Sequence, residues 1–321
     1  MLVRDLKHKN SAISKQLEKF AARLRIRHPA LSRANRLLFL CGANRSPGVP
    51  SPRRQAIKRF VENISSDYRV IYAEGVFNEL AKVGHGSNAL DLEHEISEIA
   101  DRILIVLESP SAFCELGAFA HKTLREKLII VNDSQFRGNG SFIDTGPLAA
   151  VRECKSPILW YPMGADGLAK TDGIGAIFSD LKAAVDGRPI SVGKPTSADI
   201  GDLSASKLSL YFIHDLVLFV GPVTHAELID VLITAFGKKS FDMAKSLLGI
   251  LREARLIVSN QVGTDWAFRA TTTTPFLQYA ADTNALMATF RRYHLQTNPK
   301  RFADEHRGTY VERAVGPAIA A

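Results

Sequence analysis

Cysteine is scarce in this chain: three in 321 residues, Cys41, Cys114 and Cys154. The number is odd, and none stands at metal-ligand spacing. This excludes a disulfide framework and gives no zinc signature. Long hydrophobic runs are missing as well. No stretch of 18 apolar residues occurs, and no signal-peptide core stands near Met1. The expectation is a cytoplasmic protein with no membrane contact. Neither GxGxxG nor a Walker A element is present, so a standard dinucleotide fold and a P-loop NTPase are unsupported. The nine histidines are scattered, nothing resembles a serine elbow, and no metal site is expected.

What the chain does have is charge of one sign in unequal places. The net charge is +8. Residues 1–35 carry nine Lys/Arg against two Asp/Glu, a net +7. Residues 36–204 stand at −2 and residues 205–321 at +3. Basic ends around a near-neutral middle suggest ends that meet a polyanion and a middle with another task.

The periodicity divides the chain further. Residues 1–35 hold a basic amphipathic helix, with Ile13, Leu17, Phe20 and Leu24 on its apolar face. Packing on its own protein is the reading favoured for that face. From residue 36 to 186, apolar runs alternate with helical patterns. "RLLFLCG" (36–42), "YRVIYAE" (68–74), "DRILIVLES" (101–109), "KLIIVND" (127–133) and "SPILWYP" (156–162) read as strands. "SPRRQAIKRFVEN" (51–63), "LDLEHEISEIA" (90–100) and "PSAFCELGAFAHKTL" (110–124) read as helices. The fold class is therefore α/β, a parallel sheet covered on both faces. Ligands of such sheets sit at the carboxyl ends of the strands.

Residues 187–204, rich in Gly, Pro and Ser, read as a linker. Beyond them, from 205 to 321, the pattern is α-rich. Three helices (205–219, 224–236, 240–254) precede two β-like runs around a glycine turn. That order predicts a winged helix-turn-helix domain followed by a C-terminal tail. If the domain binds DNA, the third helix would be its recognition helix, with Lys238, Lys239, Lys245 and Arg252 as phosphate contacts; such domains also serve as docking modules.

The chemistry concentrates in "ESPSAFCELGAFA" (108–120). Ser109 can cap the helix, Pro110 suits its first turn, and the free N–H groups near Ser111 face an anion. Glu115 lies off the apolar stripe of Phe113, Leu116 and Ala120, towards the strand-end cleft. Gly117 would let a ligand approach the backbone closely. A half-buried carboxylate there can pair with a cation or attack an electrophilic carbon. Glu108 only closes the strand in this reading. "CGANRSPG", with Gly42 and Asn44, is a candidate phosphate loop. Glu74 and Asp133 stand at strand ends and are further substrate-binding candidates.

"ESPSAFCELGAFA", preceded by "LFLCGA" and "LDLEHEISEIAD", resembles the nucleoside 2-deoxyribosyltransferase fold. That family carries Asp–x–Gly–Thr/Ser–x–x–Glu–x–Gly, whose Glu attacks the sugar C1′. The resemblance sets that Glu on Glu115 and the following Gly on Gly117. The pattern's Asp falls on Ser109 and its first Gly on Ser111. The loss of that Asp turns the expectation from base exchange to hydrolysis. A second carboxylate of the family, which recognises the base, falls on Glu93. "VIYAEGVFNEL", "KLIIVNDSQF" and "SFIDTGPLA" extend the likeness to the deoxyribosyltransferase-like effectors of bacterial retrons. That resemblance implies a toxin that cleaves the N-glycosidic bond of NAD⁺ or a related nucleotide. NAD⁺ would be its substrate, and no cofactor is expected. It implies partners too: a retron reverse transcriptase and its hybrid RNA–DNA, msDNA, which hold the toxin inactive until phage infection. A homo-oligomer is plausible because related transferases share sites between subunits. The alternative is a nucleotide-sensing, DNA-binding regulator without turnover.

Overall fold

The computed structural model describes residues 2–8, 10–82, 88–187, 200–237, 240–262 and 265–306. The five expected apolar runs become five parallel strands: β1 Arg36–Cys41, β2 Tyr68–Ile71, β3 Arg102–Val106, β4 Leu128–Asp133 and β5 Ile158–Tyr161. Their order across the sheet is β2-β1-β3-β4-β5. Leu38 of β1 stands opposite Val70 of β2 and Arg102 of β3. The order reverses between β1 and β3, and doubly wound sheets open a ligand crevice beyond the carboxyl ends at that point.

Side-chain alternation divides each strand between two cores. Leu38, Leu40, Leu104, Val106, Ile129 and Val131 face α3 (Pro52–Ile64), which supplies Ile57 and Val61, and α7 (Phe178–Asp186), which supplies Leu181 and Val185. Phe39, Cys41, Ile103, Ile105, Leu128 and Ile130 face the other way. There they meet Val76 and Leu80 of α4 (Ala73–Lys82), Leu92 and Ile96 of α5 (Ala89–Ile99), and Leu116 and Phe119 of α6 (Pro110–Phe119). Buried on both faces, these strands are apolar throughout rather than alternating.

Two boundaries differ from the sequence reading. The second strand, expected to run to residue 74, ends at Ile71, and α4 begins at Ala73. Val76 and Leu80, four apart, pack as one helix face, so Glu74 lies in a first helical turn. The helix expected over 110–124 ends at Phe119.

The second half of the chain packs onto the α4 side. α8 (Lys207–Val220), β6 (Val223–Thr224), α9 (His225–Phe236) and α10 (Met243–Glu253) are followed by the hairpin β7 (Ile257–Val262) and β8 (Asp265–Ala270). β8 also pairs with β6, giving an antiparallel three-stranded sheet. Three helices and a hairpin is the order expected from the sequence. α11 (Thr283–Thr297), which the sequence reading did not place, packs on α8. At the other end of the chain lie α1 (Leu2–Lys7) and α2 (Ala12–Ile26). α2 buries Ile13, Leu17, Phe20 and Leu24 against α9 and α11, and Arg25 donates to the Ala235 carbonyl at 2.8 Å. The apolar face of the basic helix is thus packed on its own protein, as expected.

α10, the expected recognition helix, is not presented outward. It lies against α4, and a Cβ on Gly249 would stand 3.0 Å from Val76 Cγ1. Ala244, Leu247, Leu248, Ile250 and Leu251 are all buried. α10 meets α4 on the side of Gly249 and α8 on another.

Candidate active site

Glu115 projects from α6 towards the carboxyl end of β1. Ser51 caps α3, Ser109 caps α6 and Asn88 caps α5, each accepting an N–H of its own first turn. These caps fix where three helices start around the sheet edge. Three of the helices on that face each bring one carboxylate: Glu74 from α4, Glu93 from α5 and Glu115 from α6. Cys41 lies at the strand end between them.

The electrostatics show that these groups feel one another. Burial, with Glu93 adding, pushes the Glu115 carboxyl up to about 8, while Arg54 opposes and Glu74 adds further. Burial and then Glu74 raise Glu93, again against Arg54. The Cys41 thiol is raised by burial and by Glu115 and Glu93. Glu115 Oε2 is buried and has no hydrogen-bond partner. A buried acceptor left so costs free energy and is satisfied when a ligand arrives.

Arg54 is the cation of the cluster, and the sequence reading missed it. Its Nη1 donates to Glu74 Oε1 at 2.7 Å and to Asn44 Oδ1 at 2.6 Å, and its Nη2 donates to the Leu40 carbonyl at 2.8 Å and to Glu74 Oε2 at 3.2 Å. The guanidinium also lies over the Tyr72 ring, 4.7 Å from its centroid. Burial works against the Arg54 cation, but Glu74 outweighs it and the pKa rises. The only sequence signal was an arginine in the first turn of α3, a place where helices favour acids.

Glu108, expected only to close the strand, is a hub. Its buried carboxylate accepts from Ser51 Oγ at 2.6 Å, from the Ala43 N–H at 3.2 Å and from Arg53 Nη1 at 3.1 Å. Arg53 continues to Asp172 at 3.0 Å and to the Gly164 carbonyl at 2.8 Å. Gly42 is needed here. Its φ is +146°, and a Cβ would stand 3.0 Å from Arg54 Cδ and 3.2 Å from Glu108 Oε1.

The remaining candidates separate. Asn44 joins the cluster through Arg54. Ser109 and Ser111 share a hydroxyl contact of 2.9 Å at the start of α6, and Ser111 is exposed. Asp133 is buried and caps the turn after β4, accepting the Gln135 N–H at 3.0 Å. Gly117 is exposed with open space around it, on a different side of α6 from Glu115, so the structure does not bring it to the cluster. Lys238 and Lys239 lie outside the described residues. Arg252 donates to Glu79 Oε2 of α4 at 3.1 Å, and Lys245 lines a crevice of about 10 Å³ with Leu80 and Trp266. Both sit at the α4–α10 contact. Among the described residues no three His, Cys, Asp or Glu side chains could hold a metal ion, and no helix is long and apolar enough to cross a membrane.

A family model described as "STM3845 retron effector protein" matches residues 50–259, about two-thirds of the chain. The chain belongs to this retron effector family. The match begins beside the Ser51 cap and ends within β7, so it includes all three carboxylate-bearing helices and α10. The chain is 35% identical over 278 residues to the Escherichia coli protein named "Retron Ec73 putative ribosyltransferase/DNA-binding protein", covering 83% of this chain and 87% of the relative. It is also 36% identical over 121 residues to the "Retron Ec86 putative ribosyltransferase/DNA-binding protein" of E. coli, covering 37% of this chain and 38% of that relative.

Proposed function

We propose that this retron effector is a deoxyribosyltransferase-like N-glycosidase acting on NAD⁺ or a related nucleotide, with Glu115 as nucleophile. The observation that carries the reading is one buried, unpartnered carboxylate oxygen at the switch point of the sheet, flanked by Glu93 and opposed by Arg54. The ribosyltransferase named in the relatives is consistent with chemistry at a sugar C1′.

In the free protein Glu115 holds its proton at neutral pH, since burial and Glu93 disfavour a second charge. A cationic nicotinamide ring entering between the carboxylates reverses that balance, and Glu115 releases its proton to solvent. Glu115 then attacks C1′. The C1′–N bond breaks, its electron pair neutralises the pyridinium, and nicotinamide leaves uncharged. Water adds to C1′ of the glycosyl ester and Glu115 departs as carboxylate, in the manner of a retaining glycosidase. Glu93, itself raised, takes the proton of that water. Glu74, held by Arg54, offers its carboxylate to ribose hydroxyls.

The C-terminal module is read as a winged helix on its order of helices, hairpin and added strand. Reverse transcriptase and msDNA are read as the partners that keep the enzyme silent in the cytoplasm until infection.

The test is release of nicotinamide from NAD⁺ by the purified chain. Glu115→Gln is expected to lower the rate by at least about 10³-fold. A Glu115→Gln protein as active as the parent removes the proposed nucleophile. A parent that binds NAD⁺ without turnover makes the protein a nucleotide sensor instead.

A further inference from the structure

α10 is packed against α4, and Arg252 is paired with Glu79. The α4 contact takes up one face of that helix and one of its cations. Cationic surface remains elsewhere, at the other end of the chain.

α2 has its apolar face fully occupied by Ile13, Leu17, Phe20 and Leu24. The opposite face carries Lys15, Lys19 and Arg23, all exposed. They are four residues apart and form one row, rising about 6 Å from one cation to the next. Among the described residues no carboxylate lies within ion-pair distance of any of the three. Glu18, also exposed, is the acid nearest in sequence. Beside the row runs an open groove of about 790 Å³ between α2 and the turn that starts α11. Gln16, Lys19 and Arg23 line one wall, and Ala281, Asp282 and Ala285 the other. Asp282 is engaged as the cap of α11, accepting the Ala285 N–H at 2.9 Å.

We infer that the row Lys15–Lys19–Arg23 and the groove beside it form the nucleic-acid contact of this protein, holding one strand by its phosphates. The inference rests on the reading of a nucleic-acid partner and says where that partner sits. Even spacing along one helix matches the repeating charge of a single strand. Contacts of this kind hold phosphates without reading sequence.

The experiment is binding of the full chain to a fluorescein-labelled 20-nucleotide single strand, followed by anisotropy at several salt concentrations. Lys15→Glu/Lys19→Glu/Arg23→Glu is expected to weaken binding at least about 10-fold and to reduce the log–log salt slope by about 2, from three lost phosphate contacts. Lys15→Gln/Lys19→Gln/Arg23→Gln, which removes charge without adding repulsion, should give a smaller loss in the same direction. Lys245→Glu should bind as the parent does. The placement is overturned if the triple variants bind like the parent, or if Lys245→Glu loses as much as they do. A parent chain that binds no strand at all removes the nucleic-acid reading itself, and the placement with it.

Discussion

Glu108 and Glu115 stand seven residues apart in one strand–helix unit, yet they end in opposite conditions. Glu108 turns towards α3 and is met by Ser51, Arg53 and the Ala43 N–H. Glu115 turns towards α4 and α5 and meets Glu74 and Glu93, with one oxygen unpartnered. The sheet separates the two. The satisfied carboxylate ties strand end, loop and helix start together. The unsatisfied one stores unfavourable free energy that a cationic ligand relieves.

The largest expected effect tests the satisfied side. Glu108→Ala leaves Arg53 and Ser51 without their buried acceptor and should cost about 3–5 kcal/mol in chemical denaturation. A loss under about 1 kcal/mol would mean that Glu108 is no hub.

The opposite sign is expected on the other side. A carboxyl whose folded pKa is raised binds more protons folded than unfolded, so stability falls as pH rises from its ordinary value of 4.5 to about 8. Glu115→Gln should therefore raise stability at pH 8 by a few kcal/mol and change little at pH 4. Melting temperatures at the two pH values decide this, and equal shifts at both would break the contrast.

Gly42 touches both glutamate networks. Gly42→Ala should cost about 1–3 kcal/mol, because φ is positive and the new Cβ crowds Arg54 and Glu108. If it instead stabilises, the loop has another conformation open to it.

Smaller still is the pH dependence of the unpartnered side. If Glu115 must be ionised to attack, kcat/KM for NAD⁺ should rise about 50-fold between pH 6 and 8 and level off only above about pH 9. A flat profile would assign the ionisation to another group.

The five strands, α3, α5, α6 and the three helices before the hairpin were legible in the sequence, because buried parallel strands are unbroken apolar runs and Ser, Asn or Thr caps mark every one of those helix starts except that of α10. α4 was hidden, since "YAEG" continues the apolar run of β2 without a cap. Glu115 was legible as a carboxylate off an apolar stripe. Arg54 was not, because its partners Glu74, Asn44 and Leu40 come from three other segments. Arg252 was read as a phosphate contact from its charge and its place on α10, and its partner Glu79 comes from α4.

By itself the sequence determined the alternation of strands and helices, the position of Glu115 within the helix that follows a buried strand, and the cationic face of α2. These depend on local periodicity and capping, which act over a few residues. Only the tertiary structure decided that Glu74, Glu93 and Arg54 surround Glu115, that Glu108 is satisfied while Glu115 is not, and that α10 faces α4. Each of those depends on which element lies across from which, and a carboxylate's protonation or a helix's free face is set by that neighbour.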